Sequence, residues 1–335
     1  DGAARHIRLG TEAHVVCVAP ATADFLARAA QGRADDLLST TLLVTRAPVL
    51  LCPAMNDRMW AHPQVVANAR HCRDALGYHL LGPAQGPLAV GEAEGPGRLV
   101  EPDEIVEHLG RLLGAGGPLA GRRVLITSGP TREALDPVRY LGNRSSGRMG
   151  YALAAAAWRR GAQVTVVTGP TALPDPTGVE VVPVESALQM DAAVRDRVGE
   201  ADVVIYAAAV ADYRPAEPGE RKRKRGRDGE EWGVAFTANP DIAAGTRALR
   251  KPGAVAVGFA LETEDLLANA AAKREAKGFD LVVANPAGDP EAGFGVETNR
   301  VTLLGDGQPE ALPVMGKDEV ADRILDRVEG LLGGR

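Results

Sequence analysis

The sequence predicts an α/β protein built from two Rossmann-like domains, each with a parallel sheet. Short apolar runs alternate with helical patterns along the chain, which is typical of parallel strands joined by helical crossovers. The length of 335 residues favours two domains. Gly114-Ala115-Gly116-Gly117-Pro118 is the clearest linker, because Gly and Pro interrupt regular structure. We therefore expect domains at residues 1–115 and 121–335, joined by a linker at 116–120.

Apolar runs and helical periodicity predict the individual elements. In the first half, the predicted strands are His14–Ala19 and Val49–Cys52, and the predicted helices are Ala23–Gln31, Pro63–Leu76 and Pro102–Leu113. In the second half, the predicted strands are 123–128, 163–168, 179–183, 202–206, 254–258 and 280–284. The predicted helices there are 146–160, 185–198, 240–249, 262–277 and 317–332. Trp232–Phe236 and Val301–Leu304 are also strand-like, and we expect them at a sheet edge or in a small subsheet.

Composition argues against several classes of protein. The formal net charge of −6 gives no support for nucleic acid as a bulk partner. No apolar run reaches the roughly 18 residues that span a membrane, and no signal segment opens the chain. The three cysteines form no Cys-x-x-Cys pair, which fits a reducing cytoplasm. We expect a cytoplasmic protein with no nucleic-acid or membrane partner.

The segment Asp136–Gly150 is the most informative part of the sequence. It follows the predicted strand 123–128 and runs into the predicted helix 146–160, and it carries Arg139, Asn143 and Arg144 beside serines and glycines. Backbone N–H groups and a helix N-terminus favour phosphate at such a crossover. A structural crossover with a solvated basic face is the alternative. Two generic motifs are absent: Arg148-Met149 replaces the Lys-Ser/Thr of a P-loop, and no Gly-x-Gly-x-x-Gly is present.

Three later segments also carry candidate binding groups. Ala207–Tyr213 follows a predicted strand, where small residues let a ligand approach the backbone, although Asp212 alone is more often a cap. Arg221–Arg225 is a basic run of a kind that is usually solvated or disordered. Asn239-Pro240-Asp241-Ile242 could equally be a turn followed by a helix cap.

Taken together, these segments resemble one family closely. Thr131–Gly150 matches T-R-E-x-x-D-P-V-R-x-x-x-N-x-S-S-G-x-M-G, the signature of phosphopantothenate–cysteine ligases. The family's A-A-V-A-D, N-P-D-I and G-F-A-x-E-T segments follow in order, over about residues 121–305, and Lys222-Arg223-Lys224-Arg225 stands at the place of its K-x-K-K loop. In most bacteria this ligase is the C-terminal half of a bifunctional protein. The resemblance implies a complete ligase domain in the second half of the chain.

The resemblance also implies roles for individual residues. Asn143 would hold an acyl-cytidylate, Arg139 would orient it, and Lys222 would neutralise phosphate charge. Phe259 would pack against the base, with Lys273 and Lys277 near the base and phosphates. The remaining implied nucleotide contacts are Ala209, Asp212, Pro240, Asp241 and Ile242. The substrates would be 4′-phosphopantothenate, L-cysteine and CTP with Mg²⁺, although ATP stays open, and the chain would form a homo-oligomer. In an active ligase we expect Arg139, Asn143 and Lys222 to converge on one pocket.

The first half resembles flavin-dependent cysteine decarboxylases. H-I-x-L-G, A-P-A-T-A, A-x-D-L-x-S-T and P-A-M-N-x-x-M occur in order between His6 and Met59. The resemblance implies FMN as cofactor and phosphopantothenoylcysteine as substrate. His6 would be the active-site histidine, and Asn56 would bind the substrate carboxylate. The implied FMN contacts are Pro20, Thr22, Ala23 and Met55. Outside this resemblance, His6 would be a bystander and the P-A-M-N segment a turn.

Two departures from the decarboxylase pattern affect the expected activity. The opening strand and Gly-rich turn would precede Asp1, so we expect an incomplete flavoprotein domain, little FMN and little decarboxylation. The flap Leu88–Arg98 carries Val90 near the place where the family has a cysteine. A regulatory protein with inactive nucleotide and flavin sites is the main alternative. An NAD(P) oxidoreductase is less favoured, since the dinucleotide fingerprint is missing.

Overall fold

The computed structural model describes residues 4–87, 94–224, 231–288, 292–293 and 295–334. The chain divides into two compact units, residues 1–115 and 116–335, called here the N-unit and the C-unit. Both are mixed α/β, in agreement with the predicted fold class. Within the described residues, every helix is too short or too polar to cross a bilayer.

The N-unit contains a three-stranded parallel sheet in the order β1-β2-β3. Its strands are β1 (Val16–Ala21), β2 (Val49–Pro53), β3 (His79–Leu80), β4 (Ala84–Pro87) and β5 (Glu94–Arg98), of which β4 and β5 form a separate hairpin. Its helices are α1 (Arg5–Glu12), α2 (Ala23–Gln31), α3 (Leu37–Val44), α4 (Asp57–Ala61), α5 (Pro63–Asp74) and α6 (Pro102–Leu113).

Tertiary pairing shifts several elements of the N-unit from their predicted bounds. β1 runs two residues beyond the predicted end, because Ala21 pairs with Pro53 of β2. The helix α1 was not predicted; it packs on α3 at Gly10, where an added Cβ would lie 3.0 Å from the Val44 Cβ. The core includes the fully buried Leu26, Leu51 and Cys72. The sheet therefore ends at a common carboxyl edge formed by the residues after β1 and β2.

The C-unit is organised around an eight-stranded sheet. Its strands are β6 (Arg123–Ser128), β7 (Arg132–Ala134), β8 (Tyr140–Gly142), β9 (Gln163–Thr168), β10 (Glu180–Pro183), β11 (Val203–Tyr206), β12 (Tyr213–Pro215), β13 (Phe236–Ala238), β14 (Val255–Glu262), β15 (Leu281–Pro286), β16 (Thr298–Asn299), β17 (Thr302–Leu304), β18 (Glu310–Ala311) and β19 (Met315–Gly316). Its helices are α7 (Arg148–Arg159), α8 (Ala187–Val198), α9 (Ile242–Gly245), α10 (Leu266–Lys277) and α11 (Lys317–Gly333).

The strand order of the large sheet is β10-β9-β6-β11-β14-β15-β17-β18. The first six strands are parallel, and their order in chain sequence is 3-2-1-4-5-6, the Rossmann order. β17 and β18 add to one edge in antiparallel orientation. The order reverses between β6 and β11, and ligands of open α/β sheets bind at such a switch point.

Alternate residues of the central strands face two separate helical layers. Ile126 and Ile205 pack with α7 and α11 on one face of the sheet. Leu125 and Val204 pack with α8, α9 and α10 on the other face. This alternation explains why the strands read as continuous apolar runs, since both faces are buried.

Three predicted elements of the C-unit differ in the structure. The helix predicted from residue 262 begins at Leu266, because β14 continues until Glu262 pairs with Pro286. The helix predicted at 240–249 is only α9 followed by a 3₁₀ turn at Arg247–Leu249. The strand predicted at 232–236 is wrong in position: β13 spans residues 236–238 and pairs with β12 in a small separate sheet, whereas Trp232 stacks against arginines. The predicted Val301–Leu304 strand is β17, which lies next to the edge strand.

Candidate functional site

A cavity of about 480 Å³ lies at the carboxyl ends of the central strands of the C-unit. Its wall includes Thr127 at the end of β6, the segment 206–212 after β11, and Phe259 and Asn285 on β14 and β15. The cavity therefore spans the switch point of the sheet, where the two neighbouring crossovers leave in opposite directions.

The start of helix α7 forms one side of the cavity. Gly147 caps the helix in the left-handed conformation, with φ of 79°, and residues 145–150 all line the cavity. Gly150 lies against the end of β6, where an added Cβ would come 2.3 Å from the Ser128 Oγ. Only glycine permits that close approach, so the helix N-terminus is held at the cavity, where its N–H groups favour an anion.

Asn143 fastens the crossover loop to the segment after β11. Its Nδ2 donates to the carbonyl oxygens of Ala209 and Val210, each at 3.1 Å. Asn143, Ala209 and Asp212 all line the cavity. A polar side chain is thus held in a fixed position on the cavity wall.

Helix α10 supplies two lysines to the opposite side of the cavity. The Lys277 Nζ lies 3.0 Å from the Asp241 carboxylate, which also caps α9 by accepting from the Ala244 N–H at 3.1 Å. Burial opposes ionisation of Asp241, but the Ala244 N–H and the Lys277 ammonium outweigh it and lower the pKa of this carboxyl. For Lys273, burial and then repulsion from Lys277 lower the pKa of the ammonium. These lysines form a cationic end of the cavity.

Most of the predicted nucleotide contacts line this one cavity. The residues of the sequence-based set on its wall are Asn143, Ala209, Asp212, Pro240, Asp241, Ile242, Phe259, Lys273 and Lys277. Phe259 is partly buried and its ring belongs to the cavity wall, which fits packing against a flat base.

Arg139 and Lys222 do not lie on the cavity wall. The Arg139 guanidinium donates to the buried Asp136 carboxylate, with the Nε at 2.9 Å, and stacks on the Trp232 ring at 4.6 Å. The hydrogen bonds from the Arg139 guanidinium, helped by the backbone N–H groups of Val138 and Arg139, outweigh the opposing effect of burial and hold the pKa of the Asp136 carboxyl well below its usual range. Lys222 is exposed. The expected convergence of Arg139, Asn143 and Lys222 is therefore not found in the described chain, because Asp136 binds one cation and solvent surrounds the other.

Among the cavity-wall residues that sequence reasoning did not name as contacts are Arg148, Asn299 and Lys317. Arg148 and Lys317 are the first residues of α7 and α11. A lysine at a helix start has the pattern of a surface residue, and its burial depends on a loop from elsewhere in the chain. Only the Met-Gly-Lys junction between a short strand and a helix could have drawn attention to it.

The carboxyl edge of the N-unit sheet brings together the predicted flavin contacts. Thr22 follows β1 and caps α2, its Oγ accepting from the Phe25 N–H at 3.1 Å. Asn56 follows β2 and caps α4 through Arg58 N–H at 2.9 Å. The two turns are joined by the Ala54 N–H, which donates to the Ala21 oxygen at 3.3 Å.

Of the remaining predicted flavin contacts, Pro20 lies in β1, Ala23 is the first residue of α2, and Met55 lies between β2 and α4. His6 lies on α1, an element that packs against α3. Val90 lies outside the described residues. A helix start with exposed donors at the carboxyl edge of a parallel sheet fits a flavin phosphate. Over the described ranges, no group of three His, Cys, Asp or Glu side chains could hold a metal ion.

Comparison with protein families covers both units. Residues 119–331 match the family described as "DNA/pantothenate metabolism flavoprotein C-terminal domain". Residues 1–114 match the family described as "Flavoprotein".

Curated relatives match nearly the whole chain. A "Coenzyme A biosynthesis bifunctional protein CoaBC" from Vibrio cholerae is 44% identical over 322 residues, covering 96% of this chain and 79% of the relative. The protein of the same name from Mycobacterium tuberculosis is 47% identical over 344 residues, covering 98% of this chain and 81% of the relative. The Escherichia coli protein is 42% identical over 332 residues, with coverage of 98% and 80%.

Solved structures resemble the C-unit fold. The crystal structure of the C-terminal domain of a coenzyme A biosynthesis bifunctional protein is 38% identical, with a TM-score of 0.56, and covers 66% of this chain and all of that one. A DNA/pantothenate metabolism flavoprotein from Streptococcus pneumoniae is 22% identical, with a TM-score of 0.55 and coverage of 63% and 99%, and shows the fold alone.

Proposed function

The chain belongs to the family of bifunctional coenzyme A biosynthesis proteins, and we propose how its residues divide the two activities. It is an enzyme with phosphopantothenate–cysteine ligase and phosphopantothenoylcysteine decarboxylase activities. We assign the ligase to residues 121–335 and the decarboxylase to residues 1–115, with the linker at 116–120. The observation that carries the ligase assignment is the gathering of nine predicted contacts on one cavity wall.

The ligase reaction proceeds in two steps. The carboxylate of 4′-phosphopantothenate attacks the α-phosphorus of CTP, forming an acyl-cytidylate and releasing pyrophosphate. The amine of L-cysteine then attacks the acyl carbon, forming the amide and releasing CMP. Neither step needs a covalent nucleophile from the protein. Both need fixed donors and positive charge where the negative charge develops, and positioning of the reacting atoms.

The cavity supplies these groups from fixed elements. Asn143 holds the acyl group beside the segment after β11, supported by its bonds to Ala209 and Val210. Lys273 and Lys277 bind the nucleotide near Phe259. Arg139 and Lys222 act from outside the described cavity wall, orienting the intermediate and neutralising phosphate. CTP is preferred to ATP by resemblance alone.

Mg²⁺ enters with the triphosphate. This ion usually keeps several waters and binds one or two carboxylates plus substrate phosphates, so a dedicated protein cage is not required. Asp212, an exposed carboxylate on the cavity wall, is the suitable protein ligand. Asp241 is less suitable, since Lys277 already pairs with it at 3.0 Å.

In the N-unit, the residues of the carboxyl edge hold FMN. The helix start at Thr22 and Ala23 offers donors to its phosphate, and Pro20 and Met55 lie beside it. FMN supplies the two-electron oxidation and re-reduction that the decarboxylation requires. Asn56 binds the substrate carboxylate, and His6 holds or moves a proton. Titration of FMN into the chain and into Thr22→Ala tests this site: weaker binding by the variant supports it, and equal binding contradicts it.

A homo-oligomer is supported by an apolar surface on the C-unit. Val138, Tyr140, Tyr213 and Phe236 are exposed on or beside the two hairpins β7–β8 and β12–β13, and β7 packs beside β12. Large exposed apolar patches mark interaction sites. Sedimentation of the chain and of Phe236→Glu tests the proposal. Dissociation of the variant supports it, and a monomeric unsubstituted chain contradicts it. We also propose a cytoplasmic location, as the family's metabolic role and the free cysteines suggest.

Pyrophosphate release tests the ligase assignment. The chain is mixed with 4′-phosphopantothenate, L-cysteine and Mg²⁺, and CTP or ATP is supplied in turn. We expect pyrophosphate and the amide product with CTP, and much less with ATP. Absence of pyrophosphate with both nucleotides would favour a regulatory protein with inactive sites.

A further inference from the structure

Lys317 is a buried lysine on the wall of the ligase cavity. Only 7% of it is exposed, although it is the first residue of α11. Its Nζ donates to the carbonyl oxygens of Gly293, at 2.9 Å, and Val296. These residues precede β16, and both Lys317 and Gly293 line the cavity.

The charge of Lys317 lacks a carboxylate partner in the part of the chain that the structure describes. An ammonium has three N–H donors, and the two carbonyls account for two of them. Burial, and then repulsion from Arg148, lower the pKa of this ammonium. A buried charge is costly unless an opposite charge compensates it. A bound anion in the adjoining cavity would provide that compensation.

Arg148 adds a second cation at the same end of the cavity. It is the first residue of α7, and its contact with the highly exposed Glu297 is a long 3.6 Å. Both α7 and α11 lie on the face of the sheet opposite to α10, which carries Lys273 and Lys277. The cavity therefore has two cationic ends, one from each helical layer.

We propose that Lys317, assisted by Arg148, binds a phosphoryl oxyanion at this second cationic end. The proposal rests on the ligase function and adds a subsite to it. The phosphoryl group comes either from the pyrophosphate portion of the nucleotide or from the 4′-phosphate of phosphopantothenate. The chemistry required of the protein is the same: fixed N–H donors and positive charge facing phosphate oxygens.

The first experiment measures binding without turnover. Inorganic pyrophosphate is titrated calorimetrically into the unsubstituted chain, Lys317→Gln and Arg148→Gln. Lys251→Gln is the matched control, because Lys251 pairs with Asp202 at 2.6 Å before the amino end of β11, away from the cavity. Loss of one charge-assisted bond should weaken binding about tenfold in Lys317→Gln, and less in Arg148→Gln.

The second experiment identifies the source of the phosphate. Binding of phosphopantothenate and of pantothenate, which lacks the phosphate, is measured for the same variants. Weaker pyrophosphate binding alone assigns the subsite to the nucleotide. Weaker phosphopantothenate binding with unchanged pantothenate binding assigns it to the acid substrate. Either result supports the proposal.

The proposal is overturned if both variants bind pyrophosphate and phosphopantothenate as the Lys251→Gln control does. It is also overturned if pantothenate binding falls in parallel with the others, since that indicates a general distortion of the cavity. Should Lys317→Gln fail to fold, as judged by near-UV circular dichroism, Arg148→Gln decides the question. Pyrophosphate release by the unsubstituted chain is measured separately, so failure of the ligase function is distinguishable from failure of this subsite.

Discussion

The predicted cations of the C-unit lie in two regions, which differ in whether the cations line the cavity. On the cavity wall, Lys273 and Lys277 project from helix α10 into the space where a ligand would lie. The second region, called here the hairpin region, comprises the hairpin β7–β8 and the chain between β12 and β13. There Arg139 is bound by Asp136 and stacked on Trp232, and Lys222 is exposed. The motif that named all four residues does not distinguish these two situations.

The difference concerns when each charge becomes available to the substrate. A lysine fixed on the wall by a packed helix meets the ligand without rearrangement. The Arg139 guanidinium already has a strong charge-assisted partner in Asp136. A substrate anion can therefore bind Arg139 only by sharing the guanidinium with Asp136 or by displacing that carboxylate. We propose that the cavity wall is preorganised for the ligand, whereas the hairpin region gains its contacts only when substrate binds. Five substitutions test that distinction.

Asn143→Asp should have the largest effect, a fall in ligase turnover of about 100-fold or more. The aspartate cannot donate to the carbonyls of Ala209 and Val210, and its charge repels both them and the anionic intermediate. Turnover is measured as pyrophosphate release under saturating CTP. Lys251→Gln serves as the control and should keep the turnover of the unsubstituted chain, because Lys251 pairs with Asp202 away from the cavity. Turnover within a few-fold of the unsubstituted chain would remove Asn143 from the site.

Lys222→Gln should lower kcat/KM for CTP by about tenfold or more, because it removes one phosphate-neutralising charge. Stability in the absence of substrate should stay unchanged, since Lys222 is exposed. Steady-state kinetics with Lys251→Gln as control measure the effect. Full activity in Lys222→Gln would mean that the basic loop is only solvated. Of the predicted cations, those on the cavity wall would then be left to bind the nucleotide.

Lys273→Gln should raise the KM for CTP about tenfold, and Lys277→Gln by less. Lys277 is partly neutralised by Asp241, whereas Lys273 has no ion pair within the ranges that the structure describes. Both variants make the same Lys-to-Gln change on one face of the same helix, so each is a control for the other. Equal KM values would show that the Asp241 pair does not reduce the charge that the nucleotide meets.

Asp136→Asn should lower the melting temperature modestly through the hairpin region. The folded pKa of Asp136 lies below the unfolded value of about 3.9. The carboxylate therefore stabilises the fold fully above that unfolded value, and this contribution is lost as the pH falls toward the folded pKa. The difference in melting temperature from the unsubstituted chain should be constant between about pH 5 and 8 and narrow below about pH 4. If the difference in melting temperature stays the same below about pH 4, the ion pair is not its cause.

Sequence reasoning worked where local pattern and structure coincide. β6, β9 and α6 have their predicted bounds, because each is an apolar run or amphipathic pattern with breaking residues at its ends. It failed where distant pairing decides. β14 extends to Glu262 only because β15 lies beside it, and α1 depends on the contact of Gly10 with α3.

The site follows the same rule. Asn143, Lys273 and Lys277 could be named from motifs and are found on the cavity wall. The ion pair between Arg139 and Asp136 could not be predicted, because a motif gives the identity of a side chain but not the groups that it contacts. Lys317 was missed because its bonds to the carbonyl oxygens of Gly293 and Val296 depend on tertiary structure and not on a local sequence pattern.

Gly150 packs against the Ser128 side chain with no room for a side chain of its own, so the end of β6 is held close to the start of α7. Both ends of the intervening crossover loop are therefore held at one joint. Closing a loop with fixed ends costs entropy that grows only slowly with its length, so residues can be added to or removed from this loop without moving the helix start. Related proteins could then change the loop, and with it the acid substrate that they accept, while helix α7 stays in place. Phosphate binding and acid selection would be inherited as separate traits of one domain.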